Sequence, residues 1–255
     1  MLKITNLSKS FKKDNENRVD IFKNFNIEIE ANKCTAIIGP NGCGKSTLLN
    51  LISGSILADS GEFILNGKDI TKLSEENRAI HIGRVHQDPS LGVSPSLTIL
   101  ENMSLADKKG EGFSLRRLVK KDRIPKYIEL LKDLDLGLED KLDTQVKYLS
   151  GGQRQSLSLV MASMKFPDLL LLDEHTAALD PKTSHVVMKK TKELIEKYKM
   201  TTIMISHNMK DAIDYSDRVI MLDQGQIILD KASKDLTEEE LMDIYRKKLD
   251  EHILH

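Results

Sequence analysis

The sequence predicts an α/β protein with a mainly parallel sheet, an N-terminal antiparallel β subdomain and an inserted helical subdomain. Three observations carry that prediction. Short apolar runs of strand length recur at 34–38, 169–172, 202–205, 219–222 and 227–229. Helical stretches at about 182–198 and 208–215 separate the later runs, and strands alternating with helices favour parallel neighbours. Between about 89 and 166 the strand period gives way to helical spacing.

Taken in order, Phe25, Ile27 and Ile29 alternate with polar residues, the period of a strand with one buried face. The run 34–38 leads into a glycine-rich loop and then a helical pattern over 46–52. Segment 62–70 contains Asn66-Gly67, two residues that accept positive φ and so mark a hairpin. In the middle, Ile128, Leu131 and Leu134, then Leu157, Val160, Met161 and Met164, fall at helical spacing. Thr237 and Glu240 form a capping box that opens a last helix. The expected organisation is one domain over 1–255. Segments 1–88 and 167–235 make the core with its β subdomain, 89–166 the helical subdomain and 236–255 a closing helix.

Composition narrows the function classes. Lys+Arg total 38 against 39 Asp+Glu, a formal charge of −1, so no basic footprint announces nucleic acid and no such partner is expected. The locally basic stretch Lys108, Lys109, Arg116, Arg117, Lys120, Lys121 and Arg123 is interrupted by Glu111 and Asp122, as on a solvated helix face. No apolar run approaches the roughly 18 to 20 residues that cross a bilayer, and the N-terminus lacks the apolar segment of a secretory signal. A cytoplasmic chain with Cys34 and Cys43 as reduced thiols is expected.

Gly39-Pro40-Asn41-Gly42-Cys43-Gly44-Lys45-Ser46-Thr47 fits G-x-x-x-x-G-K-[ST] in its proper context, after a predicted strand and at the start of a predicted helix. Glycines let the backbone wrap so that successive N–H groups face phosphate oxygens, and the helix adds its positive N-terminus. The predicted core is therefore that of a P-loop ATPase, with ATP and Mg²⁺ as ligands. Lys45 is expected on the β- and γ-phosphates and the Ser46 hydroxyl on Mg²⁺. The apolar run 169–172 ends in Asp173-Glu174, which puts a carboxylate at the sheet edge. Asp173 suits the Mg²⁺ shell through water and Glu174 the attacking water, although a second carboxylate there could equally be surface charge. Cys43, inside the loop, is expected to be shielded from alkylation by Mg-ATP, and Cys34, on a buried strand, to react slowly.

Leu149-Ser150-Gly151-Gly152-Gln153-Arg154-Gln155 resembles the signature of the ABC ATPase family, shortly before the run 169–172 as in that family. Three further segments follow the family's order. Gln87, in Val85-His86-Gln87-Asp88, resembles the Q-loop glutamine. Ala178-Leu179-Asp180-Pro181 resembles the D-loop, and His207, in Ile205-Ser206-His207-Asn208, resembles the switch histidine. The resemblance spans essentially the whole chain. It implies the ATP-hydrolysing subunit of a membrane transporter, working as a head-to-tail homodimer on separate permease subunits at the inner face of the cell membrane. An extracellular solute-binding protein is a further implied partner.

The resemblance also distributes roles. It implies that Glu174, His207, Lys45 and Gln87 act in catalysis, with Ser46, Gln87 and Asp173 around Mg²⁺. Nucleotide contacts fall to residues 39–47, to Phe11 stacking on adenine, and to Ser150, Gly151, Gly152, Gln153 and Asp180. One departure stands out: many family members have proline where this chain has His175. The segment Leu97-Thr98-Ile99-Leu100-Glu101-Asn102 is similar to transport cassettes, and 173–183 resembles cassettes grouped with bacterial amino-acid importers, aromatic amino acids among their cargoes. The alternatives are a soluble family member acting in translation or DNA repair, and the ATPase of an exporter. Translation members usually carry two cassettes per chain and repair members long coiled-coil insertions; neither feature is present.

Overall fold

The computed structural model describes residues 1–12, 18–111 and 118–253, with side chains as far as Lys248. Arg116 and Arg117 of the basic stretch lie outside the described residues. Two sheets organise the chain. Strands β1 (Leu2–Lys12), β2 (Arg18–Ile29), β4 (Ser60–Leu65) and β5 (Lys68–Asp69) form an antiparallel sheet in the order β2-β1-β4-β5. The second sheet runs β10-β9-β3-β8-β7-β6. Its members are β3 (Cys34–Ile38), β6 (Ile82–Val85), β7 (Leu169–Asp173), β8 (Thr202–Ile205), β9 (Arg218–Asp223) and β10 (Gln226–Ala232). Every pairing in it is parallel except the β9–β10 hairpin. The turn expected at Asn66-Gly67 joins β4 to β5, with φ of 49° and 78°.

The apolar runs lack alternation because both faces of the larger sheet are covered. Leu169 and Leu171 of β7 belong to one apolar cluster, with the inner face of the antiparallel sheet and helix α1 (Lys45–Ser53). Leu170 and Leu172 belong to the other, which packs under the remaining helices. These are α3 (Ile99–Asp107), α4 (Ile124–Lys132), α5 (Gly151–Ser163), α6 (Pro181–Tyr198), α7 (Met209–Asp214) and α8 (Glu238–Ile253), while the short α2 (Glu75–Ala79) lies near α1. The helical stretch 89–166 therefore has no separate core: Tyr127, Leu130, Leu131, Leu134 and Leu138 share the cluster of the sheet face. Its buried stripe runs Tyr127, Leu130, Leu131, Leu134, at i, i+3, i+4, i+7, which leaves Ile128 half-buried at the flank.

Several helix starts follow local rules. Thr98 and Glu101 form a reciprocal capping box at α3, and Thr237 and Glu240 exchange the same two bonds before α8. Buried Asn102 donates to the carbonyls of Ser94, Leu97 and Thr98 and accepts from the Ser94 N–H at 2.7 Å. The 97–102 segment thus has a folding role of its own.

One buried cation closes α1. Arg78, on α2 and 2% exposed, donates from Nη1 to the last-turn carbonyls of Leu51 (2.7 Å) and Ile52 (3.0 Å). Nη2 and Nε reach Thr71 O and Leu73 O. A helix C-terminus exposes such carbonyls and favours a positive charge. Arg78→Met keeps the stem and strips all of these bonds. It is expected to cost about 3 kcal/mol, from carbonyls left buried and unpaired. In a protein of this size that lowers the melting temperature by roughly 6 to 12 °C. A variant melting within about 2 °C of the wild type would show that these bonds contribute little.

Candidate functional site

The central strand β3 ends at Ile38, and the chain turns sharply back into α1. Gly39, at φ 147°, lies against β9 so closely that a Cβ would stand 2.1 Å from Leu222 O. Gly44, at φ 111°, caps α1 in the left-handed region, where a Cβ would meet the Phe22 ring at 2.8 Å. No side chain caps α1 and no acidic residue sits in its first turn, so its free N–H groups remain available for an anion. Lys45 is buried within the loop, its Nζ donating to Gly39 O at 2.7 Å and Pro40 O at 3.1 Å. Ser46 is exposed one residue further on.

A cavity of about 340 Å³ is lined by Phe11, Ile21, Asn41, Gly42, Gly44, Lys45, Ser46, Thr47 and Glu174. Phe11, at the end of β1 and 40% exposed, is thus brought to the loop from the other sheet, with Lys9 Nζ 5.3 Å from its ring centroid. Gly39, Pro40 and Cys43 are buried. The Cys43 thiol packs into the apolar cluster beneath the loop and burial pushes its pKa up, while its N–H donates to Pro40 O at 3.3 Å and its carbonyl accepts from the Gly225 N–H at 3.0 Å. Maleimide labelling of the native protein is therefore expected to be slow at both cysteines, with Mg-ATP slowing Cys43 further by holding the loop closed. Cys43 labelling at the rate of a free thiol would place the sulfur in the cavity instead.

The second group of residues comes from neighbouring strands. Asp173 is in register with Ile205, so β7 and β8 end together and deliver Glu174 and His207 side by side. His207 Nε2 and Glu174 Oε1 share a 2.6 Å hydrogen bond. Glu174 itself sits at φ 47°, an uncommon conformation for a residue with a Cβ, and its N–H donates to Ile205 O at 3.2 Å. The same carboxylate borders a larger cavity of about 710 Å³ that continues past His207 towards Tyr245 of α8.

His175, where the family often has proline, is buried and tied to α6. Its Nε2 lies 3.2 Å from Thr191 Oγ1, whose own hydrogen goes to Val187 O at 2.8 Å. The imidazole is therefore the donor at Nε2, and burial drives its pKa down to about 4, so the ring is neutral. This side-chain tie restrains the segment that carries Glu174.

The glycine pair that opens α5 forms a distinct feature. Ser150 Oγ accepts from the Gln153 N–H, and Gln153 Oε1 accepts from the Ser150 N–H, a third capping box. Gly152 has a packing reason besides any ligand: a Cβ there would stand 2.4 Å from Thr183 Cγ2, at the start of α6. Asp180 is the N-cap of α6, accepting from the Thr183 N–H at 3.1 Å. Gln87 is exposed in a groove of about 320 Å³, beside Asp88, Gly151, Arg154 and Gln155. Gln155 Nε2 donates to His86 O at 3.1 Å, joining α5 to that loop. Among the described residues, neither Gln87 nor any of Ser150, Gly151, Gly152, Gln153 and Asp180 lines the cavity of Lys45.

The donor set suits a hard cation that brings other ligands with it. Among the described residues no three His, Cys, Asp or Glu side chains cluster to hold a metal alone. Ser46 and Asp173 offer the few oxygen donors that Mg²⁺ uses when phosphate and water complete its shell. Sequence reasoning passed over Arg84 and Thr191, which touch Asp173 and His175. The available signal for Arg84 was a charged residue inside the short strand Ile82–Val85.

An anion loop at the end of a central strand, with a carboxylate pair ending a nearby one, defines an ATP-hydrolysing P-loop cassette. The chain belongs to the ABC transporter family, whose family model matches residues 22–177. It is 48% identical over 246 residues to a tyrosine transport ATP-binding protein of Clostridioides difficile, covering 95% of this chain and 98% of the relative. A phosphonates import ATP-binding protein of a Ruegeria species is 37% identical over 251 residues, with 96% and 94% covered. Among solved structures, a dimeric ATP-binding cassette in a post-hydrolysis state bound to ADP and Pi matches with a TM-score of 0.77 at 30% identity. That match covers 91% of this chain and 99% of that one. The ADP conformation of another ABC transporter cassette gives 0.80 at 27% identity, covering 99% and 98%.

Proposed function

We propose that this chain is the ATP-hydrolysing subunit of an importer of aromatic amino acids, working as a dimer on separate permease subunits. The observation that carries the cargo is the 48% identity, over nearly the full length of both chains, to a protein named for tyrosine transport. The 173–183 segment supports the same reading. No helix among the described residues is long and apolar enough to cross a membrane, which is consistent with a separate membrane-spanning partner. A solute-binding protein outside the cell would deliver the cargo.

In this reading Lys45 and the α1 amides receive the β- and γ-phosphates, and Phe11 stacks on adenine. Ser46, Asp173 and Gln87 supply the protein side of the metal shell. When bound, Mg²⁺ would offset the negative charge that develops on the phosphates. Glu174 accepts the proton of the attacking water, and His207 donates to a γ-phosphate oxygen. Ser150, Gly151, Gly152, Gln153 and Asp180 act on the nucleotide of a second copy, head to tail.

Uptake of radiolabelled tyrosine, phenylalanine, tryptophan and phosphonate, in cells with and without the gene, tests the cargo. Loss of aromatic amino-acid uptake, restored by the wild-type gene, is expected. Unchanged aromatic uptake with loss of phosphonate uptake would overturn it. Copurification with an integral membrane protein tests the transporter role separately.

A further inference from the structure

The edge strand β6 carries a cation that faces Asp173, the carboxylate expected in the metal shell. Arg84 is in register with Leu171 of β7, and Asp173 lies two residues beyond Leu171. All three side chains therefore project to the α1 face of the sheet. There Arg84 Nη2 donates to Asp173 Oδ2 at 2.9 Å, and Nη1 reaches Ser53 Oγ, at the end of α1, at 3.3 Å. The two side chains are only 15% and 14% exposed, so this is not a solvated surface pair. A charge-assisted bond of that length, shielded from water, fixes the carboxylate's rotation. The other face of β6 is held as well. A Cβ on Gly83 would stand 2.3 Å from Ala162 O, and Gln155 holds His86 O. Three residues after Arg84 the chain reaches Gln87.

We infer that Arg84 is a positioning residue, which clamps Asp173 through Oδ2 so that Oδ1 is presented to metal-bound water and which ties the strand leading to Gln87 to the same carboxylate. The inference rests on the ATPase reading of the site. Arg84 does not line the nucleotide cavity, so any effect on nucleotide passes through the groups it holds, Asp173 above all. Residues that orient a metal's ligands in this way typically change metal affinity by about 10- to 100-fold when removed. A clamp of this kind affects the metal-dependent part of nucleotide binding and leaves the metal-free part alone, because the α1 amides and Lys45 stay in place.

Binding of a fluorescent trinitrophenyl-ATP, titrated with MgCl₂ and separately in EDTA, separates those parts. In the wild type Mg²⁺ is expected to tighten binding. In Arg84→Gln the Mg²⁺ concentration giving half of that gain should rise about 10-fold, while affinity in EDTA stays within about twofold of wild type. Arg84→Lys keeps the charge and loses the planar fork, so its half-point should rise by about threefold. It decides the question if Arg84→Gln does not fold. An unchanged or lowered Mg²⁺ half-point, or an equal loss of affinity in EDTA, would overturn the clamp while leaving the ATPase reading standing. A folded wild type that binds no nucleotide under either condition would sink both.

Discussion

Glu174→Gln is expected to slow ATP hydrolysis by roughly 10²- to 10⁴-fold while ATP still binds, the usual span for losing a general base. The substitution is close to a pure removal of basicity. Glu174 lies at φ 47°, and glutamine, with the same Cβ, meets the same backbone cost there. Its amide can still hydrogen-bond the His207 ring, which now stands 2.6 Å from Glu174 Oε1. The anion loop, Lys45 and Ser46 are untouched. If hydrolysis reopens the dimer, the variant should also accumulate as an ATP-bound dimer in gel filtration. Near wild-type turnover would show that another group takes the proton, and the exposed His207 would be the next to test.

A comparable effect is expected from mixing two damaged chains. Lys45→Ala removes the cation inside the loop, and Ser150→Arg obstructs the start of α5. These features line different parts of the molecule, since none of Ser150, Gly151, Gly152 and Gln153 borders the cavity of Lys45. If each ATP is held between the loop of one chain and the α5 start of another, both homodimers carry a damaged half at every site. The mixed dimer then has one site with both defects and one with neither. Trapped nucleotide in the mixed dimer, isolated through two tags, should approach one per dimer, against nearly none for either parent. Ser150→Arg also removes a helix cap worth about 1 kcal/mol, so its melting temperature must be measured alongside. A folded mixed dimer that traps no more ATP than its parents would exclude head-to-tail sites.

Much of the fold was legible because its signals are local. The Asn66-Gly67 turn and the Thr237–Glu240 box depend on residues next to one another or three apart, and both formed where the pattern placed them. The strand 34–38, the loop 39–47 and α1 follow one another along the chain, so their relation needs no knowledge of the rest. The middle helices were harder. The stripe of α4 is Tyr127, Leu130 and Leu131, continued by Leu134 just past its end, with Ile128 off to one side, because the sheet face it packs on selects the phase. The position of the Cys43 thiol was hidden for a similar reason: a residue inside a ligand-binding loop can still turn its side chain to the core.

By itself the sequence determined the order of the motifs, the strand–loop–helix that makes an anion site, and the carboxylate pair at the end of an apolar strand. Tertiary structure decided which of them meet. Glu174 faces His207 because β7 and β8 are neighbours in register. Phe11 reaches the loop because the antiparallel sheet packs across α1. Arg84 reaches Asp173 because β6 takes the edge beside β7. Gly152 is required by Thr183, a residue on another helix. Each of these contacts joins residues far apart in the chain, and no periodicity along a strand or helix encodes them. They are settled by which apolar faces bury one another most completely, since that burial fixes the strand order and brings the polar groups at the strand ends together.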